Sequence, residues 1–271
     1  ASTFGPDALQ DSGSIYRICM PAPEAYNNRL VIWAHGFQDA GTPVSIPEDQ
    51  LGFDDVSLPQ LFNDLGFGFA TNSYSKTGLA VRQGMEDILD LVAIYAREQG
   101  APQRVYLVGA SEGGIITTLL VEGHPEVFDA GVAACGPIGD FTYQLRYFGD
   151  ARATFQYFFP QLIPGDPFAP PDEIVSSWRE YFEAMVRPAL RDPENAQALA
   201  EWVAVAKLPF DADDWQATVE QSAYDVLRYS IVNLEDAART LGGFPFGNYG
   251  RWYRGSSNDL RLNLFVPRII R

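Results

Sequence analysis

Residues 105–115 read Val-Tyr-Leu-Val-Gly-Ala-Ser-Glu-Gly-Gly-Ile, and this stretch constrains the chain more than any other. Four β-type residues run into a helical segment, Gly113–Glu122, through Gly109-Ala110-Ser111-Glu112-Gly113. So short a passage from strand to helix demands a sharp turn. The side chain at its apex is lifted above the sheet edge in strained backbone geometry. Glycines two residues to either side remove the Cβ atoms that would hold strand and helix apart. The helix start beneath adds a positive dipole end and backbone N–H groups without intrahelical partners. The spacing predicts that the Ser111 hydroxyl is presented beside groups that stabilise negative charge.

The rest of the first 140 residues fits that turn. β-type runs at Ile15–Cys19, Leu30–Ala34, Gly68–Asn72, Val105–Val108 and Ala130–Cys135 alternate with helical stretches. In the clearest helix, Val81–Gln99, Met85, Ile88, Leu89, Val92, Ile94 and Tyr95 fall mainly on one face, and Gly100 with Pro102 stops it. Such alternation predicts an α/β fold, a mostly parallel sheet with helices on both faces.

From about Phe141 to about Gly255 no strand pattern emerges. Helix-like blocks at Asp172–Arg187, Asn195–Ala206, Asp213–Ile231 and Leu234–Leu241 are separated by Pro-rich joints. A compact domain does not leave so long a stretch unstructured, so it reads as a helical insertion. Residues 141–182 hold 12 of the 36 aromatics, and a second cluster comprises Phe244, Phe246, Tyr249, Trp252 and Tyr253. Small helices need large side chains to bury area. The alternative is that some of these rings line an apolar substrate pocket.

With Lys+Arg 19 against Asp+Glu 35, the net charge of −16 argues against nucleic acid and anionic lipid as partners. No run of about 18 apolar residues suggests a membrane span. Cys19 and Cys135 each stand beside apolar residues and read as two buried thiols, with a disulfide left open. With His35 and His124 they form no usual zinc set, so no metal is expected. No nucleotide-binding glycine fingerprint accompanies a suitable strand, so no cofactor is expected either. The chain opens on Ala1 and reads as a processed or recombinant product; two lysines, Lys76 and Lys207, on an acidic background favour a secreted protein.

The run Leu30–Ala34 is followed by His35-Gly36-Phe37, and Gly109–Gly113 lies about 75 residues further on. On these two elements the sequence resembles the α/β-hydrolase superfamily over roughly residues 15–140, as serine esterases and peptidases with a helical cap. The passage His124–Ala130 into Val132–Cys135 is similar to the helix-to-strand passage after their nucleophile. The resemblance implies Ser111 as nucleophile, with the backbone N–H groups of Phe37 and Glu112 as oxyanion hole. It also implies a core at 1–140, a cap at 141–255, and a return toward the core at 256–271. The expected reaction is cleavage of a small carboxylic ester, apolar or aromatic, through an acyl-enzyme. A serine peptidase and a non-catalytic binding protein of the same fold are the alternatives. Dehalogenase or epoxide hydrolase chemistry needs Asp at the turn, where this chain has Ser111.

The family's order of nucleophile, acid and histidine is not completed here. His124 alone follows Ser111, and it closes a helix that carries it about 15 Å away. It reads as a surface residue at a helix end. His35 reads as a brace for the loop that follows it rather than as a general base, because it precedes the nucleophile in the wrong layer. Asp140 reads as a turn or helix-cap residue, and the Glu112 side chain is expected to leave the turn away from the hydroxyl. Asn258–Ile270 has a strand period, although Ser257 or Asn258 equally suits a helix cap. Either way two further strands do not fit after Gly255. The chain is therefore expected to be the N-terminal part of a longer protein, with C-terminal strands, acid and histidine beyond residue 271.

Overall fold

The computed structural model describes residues 3–269, which divide after Gly139 into two compact units. In the first, β1 (Ile15–Met20), β2 (Arg29–Ala34), β3 (Gly68–Asn72), β4 (Arg104–Ala110) and β5 (Ala130–Ala134) lie in the order β1-β3-β2-β4-β5. β1 runs antiparallel to β3, and the remaining pairs are parallel. Two-residue strands at Thr3–Phe4 and Ala8–Leu9 pair with β1. The expected mostly parallel sheet is therefore present.

Its two faces follow from strand alternation. Leu30, Ile32 and Ala34 of β2 join a core with Ile88, Leu91, Ile94 and Tyr95 of α2 (Val81–Gln99) and Ile116 and Leu120 of α3 (Glu112–Gly123). Trp33, from the other face of the same strand, packs with Ile46, Leu51, Phe69 and Leu58 of α1 (Leu58–Asp64). Helices thus cover both faces. Residues 58–64 carry no apolar stripe long enough to have marked α1 in the sequence. Beyond α1, the face formed by Val31, Tyr106, Val108 and Val132 borders an open apolar groove.

The second unit is helical; among its described residues only an isolated bridge, Asp166 to Ala169, has β geometry. Its longest helix, α4 (Phe141–Phe158), falls where sequence reading assigned none. Aromatic residues on several sides of α4 blur the single stripe that marks a surface helix. Asp140 caps it, its Oδ1 accepting from Thr142 N at 3.0 Å. Phe155 packs edge-on against Trp202 and stacks on Phe159, and the Trp202 indole donates to Ala151 O. A π-helical turn, Phe182–Val186, lies within the expected block Asp172–Arg187, and another, Tyr229–Asn233, runs across the end of the expected block Asp213–Ile231 to the start of Leu234–Leu241.

Residues 259–265 form a helix, with Asn258 Oδ1 accepting from Arg261 N, so the helix-cap alternative holds and the strand period does not. Leu262 is buried and Leu260 and Leu264 are exposed, which a 3.6-residue repeat permits. Ile270, the end of that stretch, lies outside the described residues. No helix among the described residues is long and apolar enough to cross a membrane.

The glycines around Ser111 set how closely β4, β2 and α3 approach. A Cβ on Gly113 would overlap the carbonyl of Ala34, and one on Gly109 would overlap that of Gly113. Backbone atoms cannot swing aside as a flexible side chain can. Gly113→Ala is expected to destabilise the protein by about 3–5 kcal/mol, the range of severe core substitutions, as read by chemical denaturation. Retained stability would refute this account of the packing.

Candidate active site

Ser111 follows the last residue of β4 and precedes α3, with φ 55° and ψ −118°. A left-handed φ on a non-glycine residue costs about 1–3 kcal/mol and persists only where its surroundings impose it. Here Ser111 N donates to Ala134 O of β5 at 2.9 Å, while Gly114 N and Ile115 N donate to Ser111 O. Serine is a favoured helix cap, yet its side chain makes no cap bond here. Among the described residues the half-buried hydroxyl has no hydrogen-bond partner.

The parallel register sets Ala34 of β2 opposite Gly109 of β4, so residues 35–37 leave the sheet beside Ser111. Gly36 lies against it: a Cβ there would sit 3.3 Å from Ser111 Cβ and 3.4 Å from Ala110 O. The Gly36 carbonyl is bonded to His35 Nδ1 at 2.6 Å. The N–H of Phe37 belongs to the same peptide and points opposite to that carbonyl. Among the described residues it has no hydrogen-bond partner. The structure thus brings Ser111, Glu112 and the Gly36–Phe37 peptide together.

His35 is a brace in this geometry. It is buried, its ring stacks on Tyr74 with centroids 3.9 Å apart, and its carbonyl accepts from Tyr74 Oη at 2.9 Å. Burial pushes its pKa down to about 4. The ring is therefore neutral at pH 7, and with Gly36 O as acceptor its proton sits on Nδ1. Tyr74 itself has φ 53° and fills the space against Gly84.

The buried Glu112 carboxylate accepts from Ala80 N at 2.6 Å, at the start of α2. The side chain, expected from the sequence to leave the turn away from the hydroxyl, ties the turn to a neighbouring helix. His124 sits at the far end of α3 beside Glu126, as expected of a helix-end residue. One sequence expectation is overturned. Cys19 is buried and free, but Cys135 is exposed and free, so the pair is neither two buried thiols nor a disulfide. Cys135 follows the open edge strand β5 at φ 52°, outside the packed sheet. Sequence reasoning also missed Gln50 and Tyr74. Both lie in segments without periodicity, which left no signal to find them.

Residues 64–155 match the prolyl oligopeptidase family, described as Peptidase_S9. No curated protein matches the chain. Similar solved structures include the Francisella virulence factor BioJ, at 13% identity and a TM-score of 0.38, over 54% of this chain and 49% of that one. An acetyl xylan esterase from Aspergillus awamori has 18% identity and a TM-score of 0.37, over 50% and 52%. A Pyrococcus furiosus esterase has 13% identity and a TM-score of 0.40, over 70% and 66%. The chain spans about half the length of the first two.

His35 contributes a pH dependence to stability. Its folded pKa is about 4, below the ordinary value near 6.5. Between these values the unfolded chain binds a proton that the folded one refuses. This contribution is full above about pH 6.5 and is lost as pH falls toward 4. It amounts to about 3 kcal/mol at most. Denaturant unfolding of His35→Asn is expected to show a shallower loss between pH 6.5 and 4 than the parent, and an identical slope would refute the assignment. With the sheet, the turn at Ser111 and the family match over 64–155 in hand, the first unit is a mostly parallel α/β sheet, and the chain resembles the serine esterases and peptidases of the α/β-hydrolase superfamily.

Proposed function

We propose that the protein is a serine hydrolase that cleaves a carboxylic ester through an acyl-enzyme on Ser111. The single observation that carries this reading is Ser111 itself. Its backbone is held at φ 55°, and its hydroxyl is neither used as a cap nor bonded elsewhere among the described residues. A structural serine at a helix start normally bonds the first turn.

In the proposed reaction the Ser111 oxygen attacks the acyl carbonyl while a base takes its proton. The N–H groups of Phe37 and Glu112 stabilise the oxyanion. Collapse expels the alcohol with that proton, and water then releases the acid and restores the serine. Neither histidine described suits the base: His35 is buried with Nδ1 engaged, and His124 caps the far end of α3. The reading therefore leaves the base unassigned among the described residues. The aromatic-rich composition of residues 141–182 favours an apolar or aryl acyl group. A peptide bond is the second reading, favoured by the prolyl oligopeptidase family match.

The protein, treated with a fluorophosphonate probe, is expected to be labelled on the peptide containing Ser111 and to lose the label in Ser111→Ala. A parent protein that stays unlabelled would exclude both hydrolase readings and leave a binding protein of this fold. Turnover of aryl esters against that of peptide amides separates the two enzymatic readings.

A further inference from the structure

Gln50 lies outside every motif, yet it reaches the same place. Its Oε1 accepts from Gly36 N at 2.6 Å, and a Cβ on Gly36 would meet that Oε1 at 3.2 Å and Ser111 Cβ at 3.3 Å. Gly36 is therefore enclosed between the Gln50 amide and the serine. We propose that Gln50 is a positioning residue for the reaction at Ser111, holding the Gly36–Phe37 peptide so that the Phe37 N–H faces the developing oxyanion.

Three observations support the assignment. First, Gly36 is fixed on both sides, its N–H by Gln50 and its carbonyl by the His35 ring. The peptide plane that carries the Phe37 N–H is then left little freedom to rotate. Second, the preceding carbonyl, of His35, is held by Tyr74 Oη, so the loop is fastened at consecutive residues. Third, Gln50 ends a short 3-10 turn, Glu48–Gln50, that is itself anchored. Glu48 binds Arg17 of β1 through both carboxylate oxygens, at 2.6 and 3.0 Å, and Arg17 also binds Asp7. Gln50 N donates to Pro47 O, closing the turn. The sheet thus fixes Glu48, the turn fixes Gln50, and Gln50 fixes the loop beside Ser111.

The inference rests on the serine hydrolase reading for its catalytic consequence, but the contact is testable without it. Gln50→Met fills the same space but replaces the amide oxygen with a weakly accepting thioether, and Gln50→Glu keeps an acceptor oxygen. Hydrogen exchange resolved at the Gly36 N–H is expected to accelerate in Gln50→Met and to return toward the parent rate in Gln50→Glu. With p-nitrophenyl acetate, Gln50→Met is expected to lower kcat about tenfold or more with KM little changed. That loss is smaller than for deleting an oxyanion donor outright. Unchanged exchange in Gln50→Met, equal acceleration in both variants, or an unchanged kcat would overturn the assignment. A parent protein that neither labels nor turns over ester, while exchange responds as expected, would overturn the Ser111 reading and with it the catalytic role. The anchoring of the loop by Gln50 would then stand alone.

Discussion

A serine at φ 55° and ψ −118° is the constraint on which the rest of the first unit depends. Its cost of about 1–3 kcal/mol must be met by packing that would be lost if the backbone relaxed. The structure shows which packing. Ser111 N is bonded to the neighbouring strand at Ala134, and α3 is drawn against the end of β2 through Gly113. Gly114 lies against Gly136 after β5 in the same way. Relaxing the turn would push α3 off three strands at once. The glycines matter here because they let helix and strands meet backbone to backbone, and a close contact of that kind has two discrete outcomes, packed or broken.

Burial has two effects at His35. Removing the ring from water disfavours its charged form, so its pKa falls to about 4 and it remains neutral over the physiological range. Neutrality leaves one ring proton, and the Gly36 carbonyl determines where it sits. A protonated ring would still donate from Nδ1, but it would place a charge against Tyr74 in a region closed to water. The same burial that makes His35 a poor proton acceptor makes it a reliable brace. Its environment thus makes His35 unsuited to act as the base.

Much of this was legible in the sequence where periodicity and steric demand act locally. Helix α2 was recovered at its observed bounds because an amphipathic stripe is bounded by Gly100. The turn at Ser111 was legible because glycine spacing reflects a contact that only glycine allows. Helix α4 was not, because Tyr147, Phe148, Phe155 and Tyr157 do not share one stripe, and its burial is set by partners such as Trp202, about 50 residues away. Cys135 was misplaced for a related reason. Its apolar neighbours would bury it in a central strand, whereas β5 lies at the sheet edge and is largely exposed. Gln50 and Tyr74 were illegible because each acts through one long-range contact from an irregular segment, and such a contact leaves no pattern in composition or period.

The same distinction explains how the loop beside Ser111 is held. A loop that must present one amide in a fixed direction cannot rely on its own sequence, because Gly36 brings conformational freedom where close approach to the serine demands it. Order has to be imported. One source is the core, through Tyr74 and the stacked His35 ring; the other is the sheet, through Arg17, Glu48 and Gln50. An arginine held by two carboxylates at the surface contributes little to global stability. Its geometric effect is different in kind: a two-point contact between planar groups restricts direction as well as distance. A short turn fixed in this way carries a side-chain amide to a defined place with few residues to wander. These polar contacts therefore act locally, in setting the direction of the Gly36–Phe37 peptide, while apolar burial on the two faces of the sheet supplies the stability that makes such a strained site affordable.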